Sequence, residues 1–128
     1  MSAGWEGNIK LKRVYDSEED SDGLRVLATR YWPRGVHRSA VHEYHSSLAP
    51  SRDLIAEYKR GDITWPVFEA RYREELNNEK SQEQLARLRA IAHKRVITLL
   101  CFCKDERDCH RTLLRAAIIN AREPQPVR

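Results

Sequence analysis

Residues 96–101, Val-Ile-Thr-Leu-Leu-Cys, constrain the fold most strongly, because they form a short apolar run that follows two basic residues. A run of this length that begins with β-branched residues predicts a β-strand buried on both of its faces. Strands of this kind occur in parallel sheets whose faces are covered by other elements. We therefore expect an α/β domain built around a parallel sheet.

Two further strands are predicted nearer the N-terminus. Residues 8–15 alternate between apolar and charged side chains, and residues 24–31 form an almost unbroken apolar run. Pro33 ends the second strand, because proline has no backbone N–H to donate to a sheet. The acidic residues 16–23 between these strands predict a mobile loop, and residues 41–48 fit either a short strand or a helical turn.

Apolar residues recur with helical spacing in four segments after residue 50. The residues predicted to cap these helices at their N-termini are Ser51, Thr64, Ser81 and Asp108. Strands followed by helices predict a small, mainly parallel sheet covered by helices, in a Rossmann-like or flavodoxin-like three-layer arrangement. We expect one domain over residues 1–122 and a poorly ordered tail over residues 123–128.

Composition excludes several classes of protein. With 128 residues, of which 41% are hydrophobic and 33% charged, the chain is typical of a globular domain and not of a disordered one. The net charge of +4 is spread among acidic residues, so it permits an anionic partner without requiring nucleic acid. The sequence has neither a membrane-length apolar stretch nor a signal-peptide pattern, and its three cysteines do not suggest a disulfide scaffold. These features predict a cytoplasmic protein that does not enter membranes.

Ligands of open parallel sheets bind beyond the carboxyl ends of the strands. This rule selects residues 30–35, after the second strand, and residues 101–111, after the last one. With Asp108 as N-cap, Cys109 and His110 fall in the first turn of the final helix. There the unpaired backbone N–H groups favour a thiolate and attract phosphate or carboxylate, and Arg111 adds positive charge.

Four short motifs along the chain form a recognisable pattern. They are Arg30-Tyr31-Trp32-Pro33-Arg34-Gly35, Leu48-Ala49-Pro50-Ser51, the helix with Phe68, Arg71-Tyr72 and Glu75-Leu76, and Thr98-Leu99-Leu100 leading to Cys109-His110-Arg111. Together these motifs resemble domain-of-unknown-function family 488, over residues 9–121. The resemblance implies an α/β fold, and the family pattern implicates a set of residues in function. These are Arg30, Trp32, Arg34, Gly35, Cys101, Cys109, His110 and Arg111.

Other interpretations of the same residues stay open. Cys101 and Arg107 have the spacing of a cysteine-phosphatase loop, although the acidic residues between them and the lack of glycine argue against a phosphate cradle. Three cysteines and His110 are suitable zinc ligands, but their spacing matches no standard site. Cys101 and Cys109 also fit simple packing in a core. Residues 32–35 either bind a ring and an anion or only cover the edge of the sheet.

We therefore expect a small enzyme or binding domain for an anionic small molecule or nucleotide, with no cofactor or metal. Arg30, Arg34 and Arg111 would hold the charge, beside Trp32 and Gly35. Cys109 would act as nucleophile or redox thiol near Cys101, and His110 would transfer protons. The alternatives are a nucleic-acid-binding module and a metal-stabilised structural domain. The favoured hypothesis requires the start of the last helix to lie within reach of the tryptophan-containing turn.

Overall fold

A computed structural model describes residues 4–101 and 109–121 of the chain. The strands in this part are β1 (Ile9–Arg13), β2 (Leu24–Leu27), β3 (Glu43–Tyr44) and β4 (Ile97–Cys101). The α-helices are α1 (Arg52–Lys59), α2 (Trp65–Glu75), α3 (Glu79–Ala92) and α4 (His110–Ile119). No helix in the described part is both long and apolar enough to cross a membrane. The predicted C-terminal tail, residues 123–128, lies outside the described residues.

The four strands form one sheet in the order β1-β4-β2-β3, and every pair is parallel. All five residues of β4 are buried, so the apolar run is a central strand, as predicted. In the register of the sheet, Arg13 lies beside Cys101, and Leu27 lies beside Leu100. The prediction of a small, mainly parallel α/β sheet is confirmed.

The two faces of the sheet are covered differently. The helix face, which carries Ile9, Val26 and Leu99, packs against buried residues from all four α-helices. The opposite face, here called the loop face, carries Leu27 and Leu100. It is covered by apolar side chains from the segment that follows β2, namely Trp32, Val36 and Val41. The helices, the sheet and this segment make up the three layers of the domain.

Two helix starts differ from the sequence prediction. Helix α3 begins at Glu79, because the side-chain oxygen of Asn78 accepts a hydrogen bond from the Ser81 N–H and caps the helix earlier than expected. In α4, Cys109 occupies the N-cap position. Asp108, the predicted cap, lies outside the described residues.

The acidic segment between β1 and β2, predicted to be a mobile loop, is anchored to the loop face at Asp22. Asp22 is completely buried and forms ion pairs with Lys12 and Arg25. The hydroxyl of Thr98 on β4 also donates to the Asp22 carbonyl at 2.7 Å. Burial alone raises the pKa of Asp22, but hydrogen bonds from the Glu19 N–H, Lys12 and Arg25 outweigh it and lower that pKa to about 2.

Candidate functional site

Two thiols meet at the carboxyl end of the central strand. Cys101 is the last residue of β4, and its position in the alternation of the strand places it on the helix face. Cys109 immediately precedes α4. Their sulfur atoms are 2.8 Å apart, and both residues are fully buried. The structure therefore brings these two predicted site residues into direct contact.

His110, the first residue of α4, is held against the end of β2. Its Nε2 lies 2.5 Å from the carbonyl oxygen of Ala28. A carbonyl only accepts hydrogen bonds, so Nε2 carries the hydrogen, and the lone pair of the neutral ring is on Nδ1. The ring also makes an edge contact with the ring of Tyr72, at 6.1 Å between centroids. His110 thus has a fixed ring with one nitrogen available to take up a proton.

Tyr72, which belongs to one of the four motifs of the sequence, joins this region from α2. It is completely buried, and its hydroxyl donates to the Leu48 carbonyl at 2.5 Å. Burial raises the pKa of Tyr72 well above its usual range, and negative charge on Cys109 raises it further. The hydroxyl therefore stays protonated beside the thiols. Arg30 interacts electrostatically with Tyr72, while its own guanidinium donates to the carbonyls of Ala49 and Pro50.

Arg111 is the most unusual charged residue in the described part of the chain. It is only 4% exposed, and it shares the buried face of α4 with Leu114 and Ile118. Its Nε and Nη1 atoms are buried and have no hydrogen-bond partner among the described residues. By contrast, Arg115, one turn further along, donates to the Ile9 and Glu6 carbonyls at 2.9 and 2.6 Å. Arg111 is therefore a buried cation with unused donors, at the carboxyl end of the sheet.

Arg13 adds a second guanidinium that the sequence analysis missed. It ends β1 beside Cys101 in the register of the sheet, and it follows Ile9 and Leu11 on the helix face. Its Nε atom is buried and also lacks a hydrogen-bond partner in the described part. The sequence did contain a signal for Arg13, because the period-two alternation of residues 8–15 places residue 13 on the same face of the strand as Ile9 and Leu11.

The turn after β2 lies on the other side of the sheet. Trp32 packs against the loop face, and its Nε1 donates to the Val36 carbonyl at 2.9 Å. Arg34 and Gly35 are exposed, and the Arg34 carbonyl accepts a hydrogen bond from the Tyr15 hydroxyl. The structure thus groups Cys101, Cys109, His110 and Arg111 at the start of α4, with Arg30 nearby through Tyr72. It does not bring Trp32, Arg34 or Gly35 into that group, so a ligand site at the start of α4 would form without the tryptophan-containing turn, contrary to the requirement stated in the sequence analysis.

Open grooves lie elsewhere on the described surface. One of about 530 Å³ runs between α2, α3 and α4, and one of about 620 Å³ runs between β1 and α4. Neither thiol lines either of these two grooves. Within residues 4–101 and 109–121, no cluster of three or more histidine, cysteine or acidic residues is arranged to hold a metal. Cys103, the third cysteine of the zinc hypothesis, lies outside the described residues.

Comparison with known proteins agrees with the motifs. A family model described as "Active DUF488-N3 subclade" matches residues 9–122. "Uncharacterized protein YeaO" of Escherichia coli (strain K12) is 35% identical over 109 residues, covering 84% of this chain and 93% of YeaO. "Uncharacterized protein Rv3073c" of Mycobacterium tuberculosis (strain ATCC 25618 / H37Rv) is 30% identical over 119 residues, covering 91% and 98%. No solved structure gives a significant match. The chain belongs to domain-of-unknown-function family 488.

Proposed function

We propose that this protein binds an anionic small molecule or nucleotide at the start of α4 and acts on it through the adjacent thiols. One observation carries the proposal: the guanidinium of Arg111 is buried, and two of its nitrogens have no partner in the described part of the chain. Buried charges in proteins are normally paired, because an unpaired one costs several kcal/mol. An anion bound there would supply the missing acceptors.

Three further features support an anion at this position. The dipole of α4 favours negative charge at this end of the helix. Arg13 offers another buried, unused nitrogen at the same edge of the sheet. A guanidinium binds carboxylate or phosphate through two parallel hydrogen bonds, which a single chloride cannot accept in the same way. Phosphate and carboxylate groups are therefore the preferred ligands.

The surrounding residues suit nucleophilic chemistry on such a ligand. Cys109 lies at the helix N-terminus, which favours the reactive thiolate form. His110 has its Nδ1 available to take a proton, as the Ala28 contact requires. The proposed roles are a nucleophile or redox thiol for Cys109, proton transfer for His110 and charge binding for Arg111.

Exposed aromatic residues near this edge favour a nucleotide among the possible anions. Tyr15 and Tyr31, which follow β1 and β2, are 51% and 54% exposed. The guanidinium of Arg52 lies 5.9 Å from the centre of the Tyr31 ring. Exposed rings beside arginines are a common way to stack a base next to its phosphate.

The proposal is tested by titrating the reduced protein with phosphate, pyrophosphate, AMP and ADP while binding heat and thermal unfolding are measured. We expect saturable binding to the wild type and at least about tenfold weaker binding to Arg111→Gln, a loss of about 1.4 kcal/mol. Arg115→Gln is the matched control, because its guanidinium is already bound by carbonyls of the chain. If no anion binds at about 10 mM, where binding is worth only about 3 kcal/mol, the proposal is refuted. Equal losses in the two variants would refute it as well.

Binding of single-stranded nucleic acid is the second candidate function, favoured by the same exposed tyrosines and by Arg38, whose guanidinium lies 5.9 Å from the Trp32 ring. It predicts that affinity for an oligonucleotide falls steeply as salt rises. Absence of binding at low salt would exclude it. We also propose the cytoplasm as the location, supported by the odd number of cysteines, which does not suggest a disulfide scaffold.

A further inference from the structure

We propose that Cys101 and Cys109 form a redox-active dithiol, which a small hydroperoxide oxidises to a reversible disulfide. This inference goes beyond anion binding, because it concerns electrons exchanged by the protein's own sulfur atoms. It depends on the contact between the two thiols, on their burial, and on two arginines with buried nitrogens, Arg13 and Arg111, at the same edge of the sheet.

The geometry favours bond formation between these two cysteines. Their sulfurs are 2.8 Å apart, and a disulfide bond is about 2.05 Å long, so closure needs a movement of less than about 1 Å. Cys101 is held by the central strand and Cys109 by the start of α4, so both positions are fixed by regular structure. A pair held in this way does not have to search for its partner after the first thiol is oxidised.

The environment distinguishes the roles of the two thiols. Cys109 faces the positive end of α4, which favours its thiolate and makes it the attacking sulfur. Cys101 ends a buried strand and is the resolving sulfur. The unused nitrogens of Arg13 and Arg111 are available to stabilise the negative charge that develops on the departing oxygen of the peroxide.

The chemistry takes place in two steps. The Cys109 thiolate attacks one oxygen of the hydroperoxide, so an S–O bond forms, the O–O bond breaks, and the alkoxide or hydroxide that leaves takes up the proton lost by the thiol. The sulfur of Cys101 then attacks the sulfenic acid, so the S–S bond forms and the S–O bond breaks. Water leaves with the proton of Cys101. In total, the two thiols give two electrons to one hydroperoxide. The products are a disulfide, one water from the second step, and the alcohol that corresponds to the hydroperoxide, which is water when the oxidant is hydrogen peroxide.

Burial selects the size of the oxidant. Both thiols are fully buried, so a bulky disulfide has poor access to them, whereas hydrogen peroxide is about as small as water. A small external dithiol such as dithiothreitol returns the pair to the reduced state by thiol–disulfide exchange. The proposed cycle therefore uses a small hydroperoxide as oxidant and a dithiol as reductant.

The test treats the reduced full-length protein with one equivalent of hydrogen peroxide, alkylates the remaining thiols and measures the intact mass. We expect the loss of two hydrogens, one thiol left to alkylate and full recovery after dithiothreitol. Trypsin cleaves after Lys104 and Arg107, so Cys109 falls on a different peptide from Cys101 and Cys103. In the Cys103→Ser protein these two peptides are joined only by a Cys101–Cys109 disulfide. Cys103→Ser is the matched control and should react as the wild type does.

Two variants separate the steps. Cys109→Ser should form no disulfide within the chain, and Cys101→Ser should accumulate a sulfenic acid on Cys109, trapped with a dione reagent. Thermal unfolding checks that each variant is folded. If either variant is not folded, the peptide map of the Cys103→Ser protein alone shows whether Cys101 and Cys109 are linked. An unchanged mass, or a link that requires Cys103, overturns the proposal. Anion binding is measured under full reduction without peroxide, so the two proposals fail independently.

Discussion

Replacing Arg111 by methionine separates a structural role of this residue from a ligand-binding one. Methionine keeps much of the apolar length of the side chain but removes the charge and the donors. Two of those donors are buried without a partner in the described part of the chain. A buried polar group without a partner costs about 1–3 kcal/mol, and more if it is charged. We therefore expect Arg111→Met to be more stable than the wild type in the absence of ligand, by about 1–3 kcal/mol.

This change in free energy is large enough to measure by heating. Unfolding entropy is about 2.1 cal/mol/K per residue, or about 0.27 kcal/mol/K for 128 residues. A gain of about 1–3 kcal/mol then raises the Tm by about 4–11 °C. When an anion is added, the Tm of the wild type should rise, because binding stabilises the folded protein, whereas the Tm of Arg111→Met should not change.

Differential scanning calorimetry of both proteins, with and without phosphate or ADP, is the assay. Arg115→Met is the control, because it removes hydrogen bonds to the Ile9 and Glu6 carbonyls and should lower stability by about 1–3 kcal/mol. If Arg111→Met is destabilised as much as Arg115→Met, Arg111 is a structural residue. If Arg111→Met still gains stability from the anion, the guanidinium does not bind it. Either result refutes the reasoning.

Two further predictions concern the loop face. Asp22→Asn should cost about 3–5 kcal/mol at neutral pH, because it leaves Lys12 and Arg25 without their carboxylate. A carboxyl group whose pKa is lowered on folding adds stability above its ordinary value of 3.8, and this is lost as the pH falls towards 2. The difference from wild type in urea unfolding should therefore shrink between about pH 4 and pH 2, and a constant difference would contradict the assignment. Gly23→Ala should cost about 2 kcal/mol or more, because φ is +60° there and a Cβ would overlap the Val96 carbonyl. Gly61→Ala, with positive φ but open space, is the control and should cost distinctly less.

The elements that the sequence predicted well are those whose signal is local. The central strand was evident from residues 96–101, since an apolar run between charged segments has few alternatives. The start of α3 was not evident from the sequence, because Asn78 and Ser81 are both good N-cap residues and the local sequence does not choose between them. The packing of Asp22 was missed because its partners, Lys12 and Arg25, lie on two different strands.

The candidate site was predictable only in part, for a related reason. The cysteines, His110 and Arg111 adjoin the predicted end of a strand, so the rule for parallel sheets located them. Trp32 adjoins a strand end as well, but alternation fixes the direction of a side chain only within a strand, and the turn carries Trp32 to the loop face. Arg13 was not singled out, although its place in the period-two alternation, two residues after Leu11, turns it towards the helices.

The two faces of the sheet treat buried arginine in opposite ways, and this contrast supports the proposed function. On the loop face, Arg25 is fully buried and is neutralised by Asp22, so this fold can place a carboxylate where a buried cation needs one. The helix face has a carboxylate near Tyr72, but Glu75 accepts hydrogen bonds from the backbone and hydroxyl of Ser51. Arg111 has no acceptor for two of its nitrogens within residues 4–101 and 109–121. Since folded proteins are stable by only about 5–15 kcal/mol, an uncompensated buried charge is a substantial loss, and a bound anion is the compensation that the geometry favours.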